Sequence, residues 1–265
     1  MTPPATTAGG ELGRAMVAEW TKFRTVRSTV WTLIASAVVT VALGVSLLIG
    51  ILQRYDRMSP AERADVDPAG SGIWYHGLQL GQAMLAVLGV LMITSEYGTG
   101  TLHTTLAAIP RRGRVLTAKI TTFAILTLVM GVVLAFTMFA VARPFLADHG
   151  WPVPLTDPTA LRGVGLAALA TMGVALLGVG TGLLIRHTAG AVTTLLATML
   201  GIPIVAQFVP QSWQSVTRYL VPQTAWAMFT PDGNVLPAGT GAAVFAVWVT
   251  VVLGAAVVTF HRRDT

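Results

Sequence analysis

The sequence predicts an all-α membrane protein with six transmembrane helices, an N-terminal interfacial amphipathic helix, a short cytoplasmic helix between spans 2 and 3, and short outer-leaflet helices between spans 5 and 6. Three observations predict it. Of the 265 residues 54% are hydrophobic and only 11% charged, against roughly 25% charged in an ordinary soluble domain. Six apolar stretches have the length of about 20 residues that a helix needs to cross a hydrocarbon layer of roughly 30 Å, where lipid offers the backbone no hydrogen-bond partner. None of the six contains Asp, Glu, Lys, Arg or His, and the charges that remain are distributed unequally between the two sides.

The stretches run approximately Val30 to Leu52, Gly77 to Thr94, Ile120 to Ala142, Gly163 to Ile185, Ala189 to Val209 and Gly241 to Phe260. The first lies behind a polar segment and no small-residue cleavage site follows it, so it reads as a retained span and not a signal peptide. With six spans both termini share a side. That side carries Arg14, Lys22, Arg24, Arg27, Arg111, Arg112, Arg114, Lys119, Arg186, Arg262 and Arg263 against Glu11, Glu19, Glu96 and Asp264. The other carries Arg54, Arg57, Arg63, Arg143, Arg162 and Arg218 against seven acids. The positive-inside rule places the termini in the cytoplasm. Trp31, Trp74, Tyr75 and Tyr97 fall at span ends, where amphipathic rings are expected at headgroup level.

Composition removes several function classes. The net charge of +6 belongs to inter-span segments and not to a water-facing basic surface of the kind that binds nucleic acid. Without cysteine there are no disulfides, thiolate metal sites or cysteine nucleophiles. Only Lys22 and Lys119 among the 17 basic residues are lysine, a bias that accompanies GC-rich genomes and points to a bacterium and its plasma membrane.

Residues 1–9, rich in Thr, Pro and Ala, read as a disordered tail. In residues 10–28, Leu12, Met16, Trp20, Phe23 and Val26 recur at steps of three and four while Arg14, Glu19, Lys22 and Arg27 fill the remaining circumference. That pattern fits a helix lying in the interface plane. Residues 29–265 form the six-span domain. The first outer loop, Gln53 to Ile73, is an ordinary solvated connection. Between Thr94 and Lys119, Gly98 and Gly100 can end the second span and Thr99 or Thr101 can cap a new helix. Leu102, Leu106 and Ile109 then share a face before Pro110 stops it. That stripe needs either a partner protein or this chain's own span ends to cover it. The segment Pro210 to Thr240 holds Trp213, Tyr219, Leu220, Val221, Trp226, Met228 and Phe229. It carries too much apolar surface for an exposed loop, and is expected to form one or two short helices in the outer leaflet.

Motifs for chemistry within the chain are missing. Lys22 follows Thr21 and Lys119 follows Ala118, so neither sits in a phosphate-binding Gly-Lys-Ser/Thr turn. Gly98 and Gly100 begin a dinucleotide-like fingerprint, but His103 occupies the third glycine position. His76, His103, His149, His187 and His261 show no i, i+4 pairing for a metal, and no Gly-x-Ser-x-Gly elbow is present. Spans free of ionisable groups argue against an ion-coupled carrier, although a sodium site of carbonyls and hydroxyls stays open. Small residues at helix-packing spacing, Gly77 with Gly81 and Gly178 with Gly182, permit close backbone approach. Gln79, Gln82 and Gln207 are the notable polar groups in the spans, placed either to bond neighbouring helices or to line a pathway.

The loop resembles that of ABC-2 type permeases, the membrane subunits of bacterial ABC exporters. In that family Glu-Tyr, Gly-Thr-Leu, Thr-Leu, Pro, Arg and a final Lys follow the second span. Here these are Glu96 and Tyr97; Gly100, Thr101 and Leu102; Thr105 and Leu106; Pro110; Arg111 with Arg114; and Lys119. Glu19, Lys22, Arg24, Thr25, Arg27 and Ser28 resemble the family's basic lead-in to the first span. The resemblance implies that a helix from about Thr99 to Ile109 is a coupling helix that docks, through Leu102, Leu106 and Ile109, into a separate cytoplasmic P-loop ATPase. ATP and Mg would bind on that partner, and this chain would not be an enzyme. It further implies a second permease subunit, identical or paralogous, and a substrate path between the second and fifth spans. The cargo would be amphipathic or hydrophobic: a drug, a peptide antibiotic or a lipid-like compound. His103 departs from the basic or polar residue expected at its position. The alternative functions are an ion-coupled carrier and a non-transporting scaffold or sensor; an adjacent reading frame encoding a P-loop ATPase separates the first reading from both.

Overall fold

A computed structural model describes residues 8–64, 73–99, 112–210, 213–230 and 236–263. The described residues are helical, with no strand among them. Helix α1 is Ala8–Thr25, and Val26, with extended backbone (φ −79°, ψ 108°), breaks the chain before α2, Arg27–Asp56. A short α3, Pro60–Ala64, and a 3₁₀ turn, Ile73–Tyr75, lead to α4, Leu78–Thr99. The long α5, Arg112–Asp148, continues through Pro144. Then come α6, Pro158–Ile185, and α7, Thr188–Leu196. A π turn at Ala197–Gly201 joins α7 to α8, Ile202–Ala206. Two short helices, α9, Gln214–Thr217, and α10, Val221–Ala227, precede α11, Ala238–Arg263.

Six of these segments are long and apolar enough to cross a membrane, with α7, the π turn and α8 together forming the fifth. The helices overrun the apolar stretches at their ends. At 1.5 Å per residue α5 is about 55 Å long, well beyond the hydrocarbon thickness, which leaves Lys119 in a helix. Likewise α4 continues through Gly98, where the sequence suggested a break. The amphipathic segment begins at Ala8, inside the expected tail, of which residues 1–7 lie outside the described residues.

The bundle is built around α6, which packs on α4, α5, α7 and α11. In its most apolar 18-residue stretch 72% of residues are buried, against 17% in each of the fifth and sixth spans. Small residues make that central position possible. A Cβ on Gly178 would collide with the Ala86 carbonyl of α4, and one on Gly173 with the ring of Phe245 from α11. On the other face of α4, Gly77 and Gly81 lie against Thr40 and Gly44 of α2. Both small-residue pairs seen in the sequence therefore sit at crossings, where backbone approach substitutes for side-chain interdigitation.

Two details differ from the sequence reading. Trp74 and Tyr75 are buried, packed with Phe139 and Phe229 at ring separations of 5.7 and 5.2 Å. The Tyr75 hydroxyl donates to the Ala160 carbonyl at 3.3 Å, and burial pushes its pKa up to about 12. They are core residues, unlike Trp31, which faces outward. The apolar stripe of α1 also divides: Phe23 is buried on α5 while Trp20 is exposed.

Candidate functional site

Two regions at opposite ends of α4 each bring four polar side chains together. At the end nearer Thr99, α1 presents Glu19, Lys22 and Phe23 on one face. Glu19 and Phe23 are four residues apart, as are Lys119 and Phe123 on α5, so the two helices meet as matched pairs. The Phe rings lie 5.9 Å apart and Lys119 Nζ is 2.9 Å from Glu19 Oε2. Glu96, near the end of α4, completes the set, with its Oε1 2.6 Å from Lys119 Nζ and 3.4 Å from Lys22 Nζ. Lys22 Nζ returns to Glu19 Oε1 at 2.8 Å. Each lysine touches both glutamates, and the four charges close into a neutral ring.

The Lys119 side chain is 3% exposed and that of Glu19 8%, while Lys22 opens to solvent at 51%. Burial by itself would raise the Glu19 pKa, but the Lys119 charge and hydrogen bonds from both lysines outweigh it and hold the carboxyl below 4.5. Burial likewise opposes the charged form of Lys22, and its contacts with Glu19 and Glu96 raise it above 10.5.

The ring is made from the chain's only two lysines. A compact ammonium fits between two carboxylates as a point charge, whereas a planar guanidinium demands a fork-shaped partner. That exception to an otherwise all-arginine basic set was the signal in the sequence. The partners, 74 to 100 residues distant from the residues of α1, were not legible. Beside the ring, α6 ends at Arg186 with φ 60°, and its guanidinium lies over the Tyr97 ring at 5.0 Å. His187 caps α7 by accepting from the Gly190 N–H at 3.2 Å.

The ring brackets the segment expected to couple to a partner. Glu96 and Tyr97 stand before it, and Arg114 and Lys119 lie in the first turns of α5. Gly100, Thr101, Leu102, Thr105, Leu106, Ile109, Pro110 and Arg111 lie outside the described residues.

About 21–26 Å along α4 from Glu96, at 1.5 Å per residue, is a cavity of about 350 Å³. It brings together Gln79 and Gln82 from α4, Gln207 following α8, and Gln223 from α10. Val174, Met199, Trp226 and Phe229 supply apolar wall. The π turn shapes one side. The Ile202 N–H reaches back to Ala197, five residues earlier, and Pro203 next to it lines the cavity. The wider turn accommodates the proline, whose ring would crowd the carbonyl four residues before it in a regular helix. The structure thus places all three glutamines singled out in the sequence on one cavity. Gln223 was not singled out, and Trp226 was noted only as part of the apolar surface expected to form short outer-leaflet helices, because nothing local ties that segment to the cavity.

A family model described as ABC-2 family transporter protein matches residues 15–155. The chain belongs to the ABC-2 transporter permease family. The match begins in α1 and runs through α2, α4 and α5, so it contains all four residues of the ion ring. No curated protein and no solved structure matches the chain. This ABC-2 protein is accordingly a multi-pass membrane component of a transport system.

Proposed function

We propose that the chain is the permease subunit of an ATP-driven exporter in a bacterial plasma membrane, with both termini cytoplasmic. A separate cytoplasmic P-loop ATPase binds ATP and Mg and docks on the segment between α4 and α5. Leu102, Leu106 and Ile109 are its contact stripe, flanked by Glu96, Tyr97, Arg111 and Arg114. A second permease subunit completes the assembly. The cargo is amphipathic or hydrophobic, a class that includes drugs and peptide antibiotics, and crosses beside Gln79, Gln82 and Gln207. In this reading α9 and α10 lie in the outer leaflet, and α1 lies at the inner interface.

The observation that carries the proposal is the family match over residues 15–155. The ion ring supports the placement of docking, because Glu96 and Lys119 tie both ends of the intervening segment to α1. Closure of an ATPase pair on ATP then draws the two docking segments together and moves α4 and α5 as rigid bodies, with the cavity end of α4 following.

Mild-detergent capture of the tagged protein from its native membrane should bring down a stoichiometric ATPase with vanadate-sensitive hydrolysis. Leu102→Asp with Leu106→Asp should abolish that recovery. Unchanged recovery with the double variant would refute docking at this stripe, and repeated absence of any ATPase would refute the exporter assignment.

A further inference from the structure

The cavity at the far end of α4 has a definite hydrogen-bonding polarity. The Thr171 hydroxyl donates to the Ala167 carbonyl at 2.8 Å, so its oxygen is left to accept. It accepts from Gln82 Nε2 at 3.1 Å. That chain fixes which way the Gln82 amide points: its NH₂ is committed to α6, and its carbonyl oxygen is the end left to accept. Gln223 lines the same cavity, and its Oε1 is buried with no hydrogen-bond partner among the described residues. A buried acceptor without a donor is unfavourable unless something supplies the missing hydrogen. The described lining holds no ionisable side chain. An ionic head group entering here would lose its hydration with no opposite charge to compensate. His76 stands behind Trp226, at a ring separation of 4.8 Å, and is not part of the wall.

We infer that this cavity binds an uncharged amphiphile whose head group donates hydrogen bonds, as a primary or secondary amide or a hydroxyl does. The head group meets the oxygens of Gln82 and Gln223, and the apolar portion lies against Met199, Trp226 and Phe229. Gln79 and Gln207, both more exposed, face ligand or water at the mouth. The inference rests on the export reading in taking this ligand as cargo chemistry, but the site itself is defined by the cavity alone. Head groups of this type occur both in neutral glycerides and in free amide or hydroxyl compounds.

The test uses the full chain in phosphatidylcholine nanodiscs and tritiated dodecanamide as probe. N,N-dimethyldodecanamide, which keeps the carbonyl but has no N–H, dodecyltrimethylammonium and dodecyl sulfate are competitors at equal bilayer mole fraction. Saturable dodecanamide binding is expected. The three competitors should each be weaker by about 10-fold or more, the scale of one hydrogen bond to a buried acceptor. Gln223→Leu should weaken dodecanamide to a similar degree, and Gln223→Asn, which keeps an amide, should weaken it less. Thermal unfolding of each variant separates lost binding from lost fold. Equal competition by the dimethyl amide or by either ionic probe would overturn the inference, as would full affinity in a folded Gln223→Leu protein. Lipid mass spectrometry then divides the sources. A neutral glyceride that copurifies with the wild type and not with Gln223→Leu identifies a lipid ligand, and its absence alongside dodecanamide binding identifies a free amphiphile. ATPase recovery is scored in parallel. If it persists while amide selectivity fails, only the ligand class is wrong; if selectivity holds without an ATPase, the export reading fails and the site stands.

Discussion

The two ends of α4 solve opposite problems. At one end four formal charges are drawn from three helices and cancel in a ring whose Lys119 is almost wholly buried. At the other, four glutamines carry no charge, and one of them leaves an oxygen buried and unpartnered. The four charges of the ring are paired with one another and fix geometry; the cavity leaves an acceptor for something else to complete. A device that transmits movement needs the first property, and a place that accepts and releases a solute needs the second.

The sharpest way to break this contrast is to remove one charge from the ring. Lys119→Met should leave Glu19 and Glu96 facing each other with only the half-exposed Lys22 to share, at a cost of about 3–5 kcal/mol, read as a lowered thermal midpoint in detergent. Adding Glu19→Gln and Glu96→Gln should recover most of the loss. A single variant as stable as the wild type would mean that the ring does not lock α1 to α5.

Acid should have an intermediate effect. The Glu19 pKa is lowered in the folded protein, so its contribution is present above about pH 4.5 and lost as pH falls through the folded value. Lys22 is raised, so its contribution is present below about pH 10.5 and lost as pH rises through its folded value. Thermal midpoints should therefore hold between these limits and fall below the lower one, and Glu19→Gln should flatten the acid limb. An acid limb unchanged by that substitution would assign the transition to another carboxylate.

The smallest effect is expected at the neutral end. Gln207 is exposed, and Gln207→Leu should change stability by no more than about 0.5 kcal/mol. A larger destabilisation would make Gln207 a structural residue and weaken the division between the two ends.

How much of this was legible in the sequence follows from the range of the forces involved. Spans are visible because hydrophobicity acts residue by residue over about 20 positions. The crossings at Gly77, Gly81, Gly178 and Gly182 were visible as spacing, although their partners were not. Glu19 and Lys22 were visible only as polar positions of one amphipathic helix, and Glu96 and Lys119 come close to them only once α1, α4 and α5 have packed. Trp74 and Tyr75 were misread as interface residues because a span end looks the same whether its rings turn outward or inward. Gln79, Gln82 and Gln207 stood out as amides in apolar helices, but nothing local joined them to Gln223, which reaches the cavity only through the fold of α10.

The lysine composition of the ring has a practical consequence. Because Lys22 and Lys119 are the chain's only lysines, the ring contains every ε-amine in the protein, one half open to water and the other shielded. An amine-selective label or a lysine-specific protease would thus act, apart from the α-amino group, on this junction alone. Exposure of the second amine would register α1 lifting away from α5 without any engineered reporter.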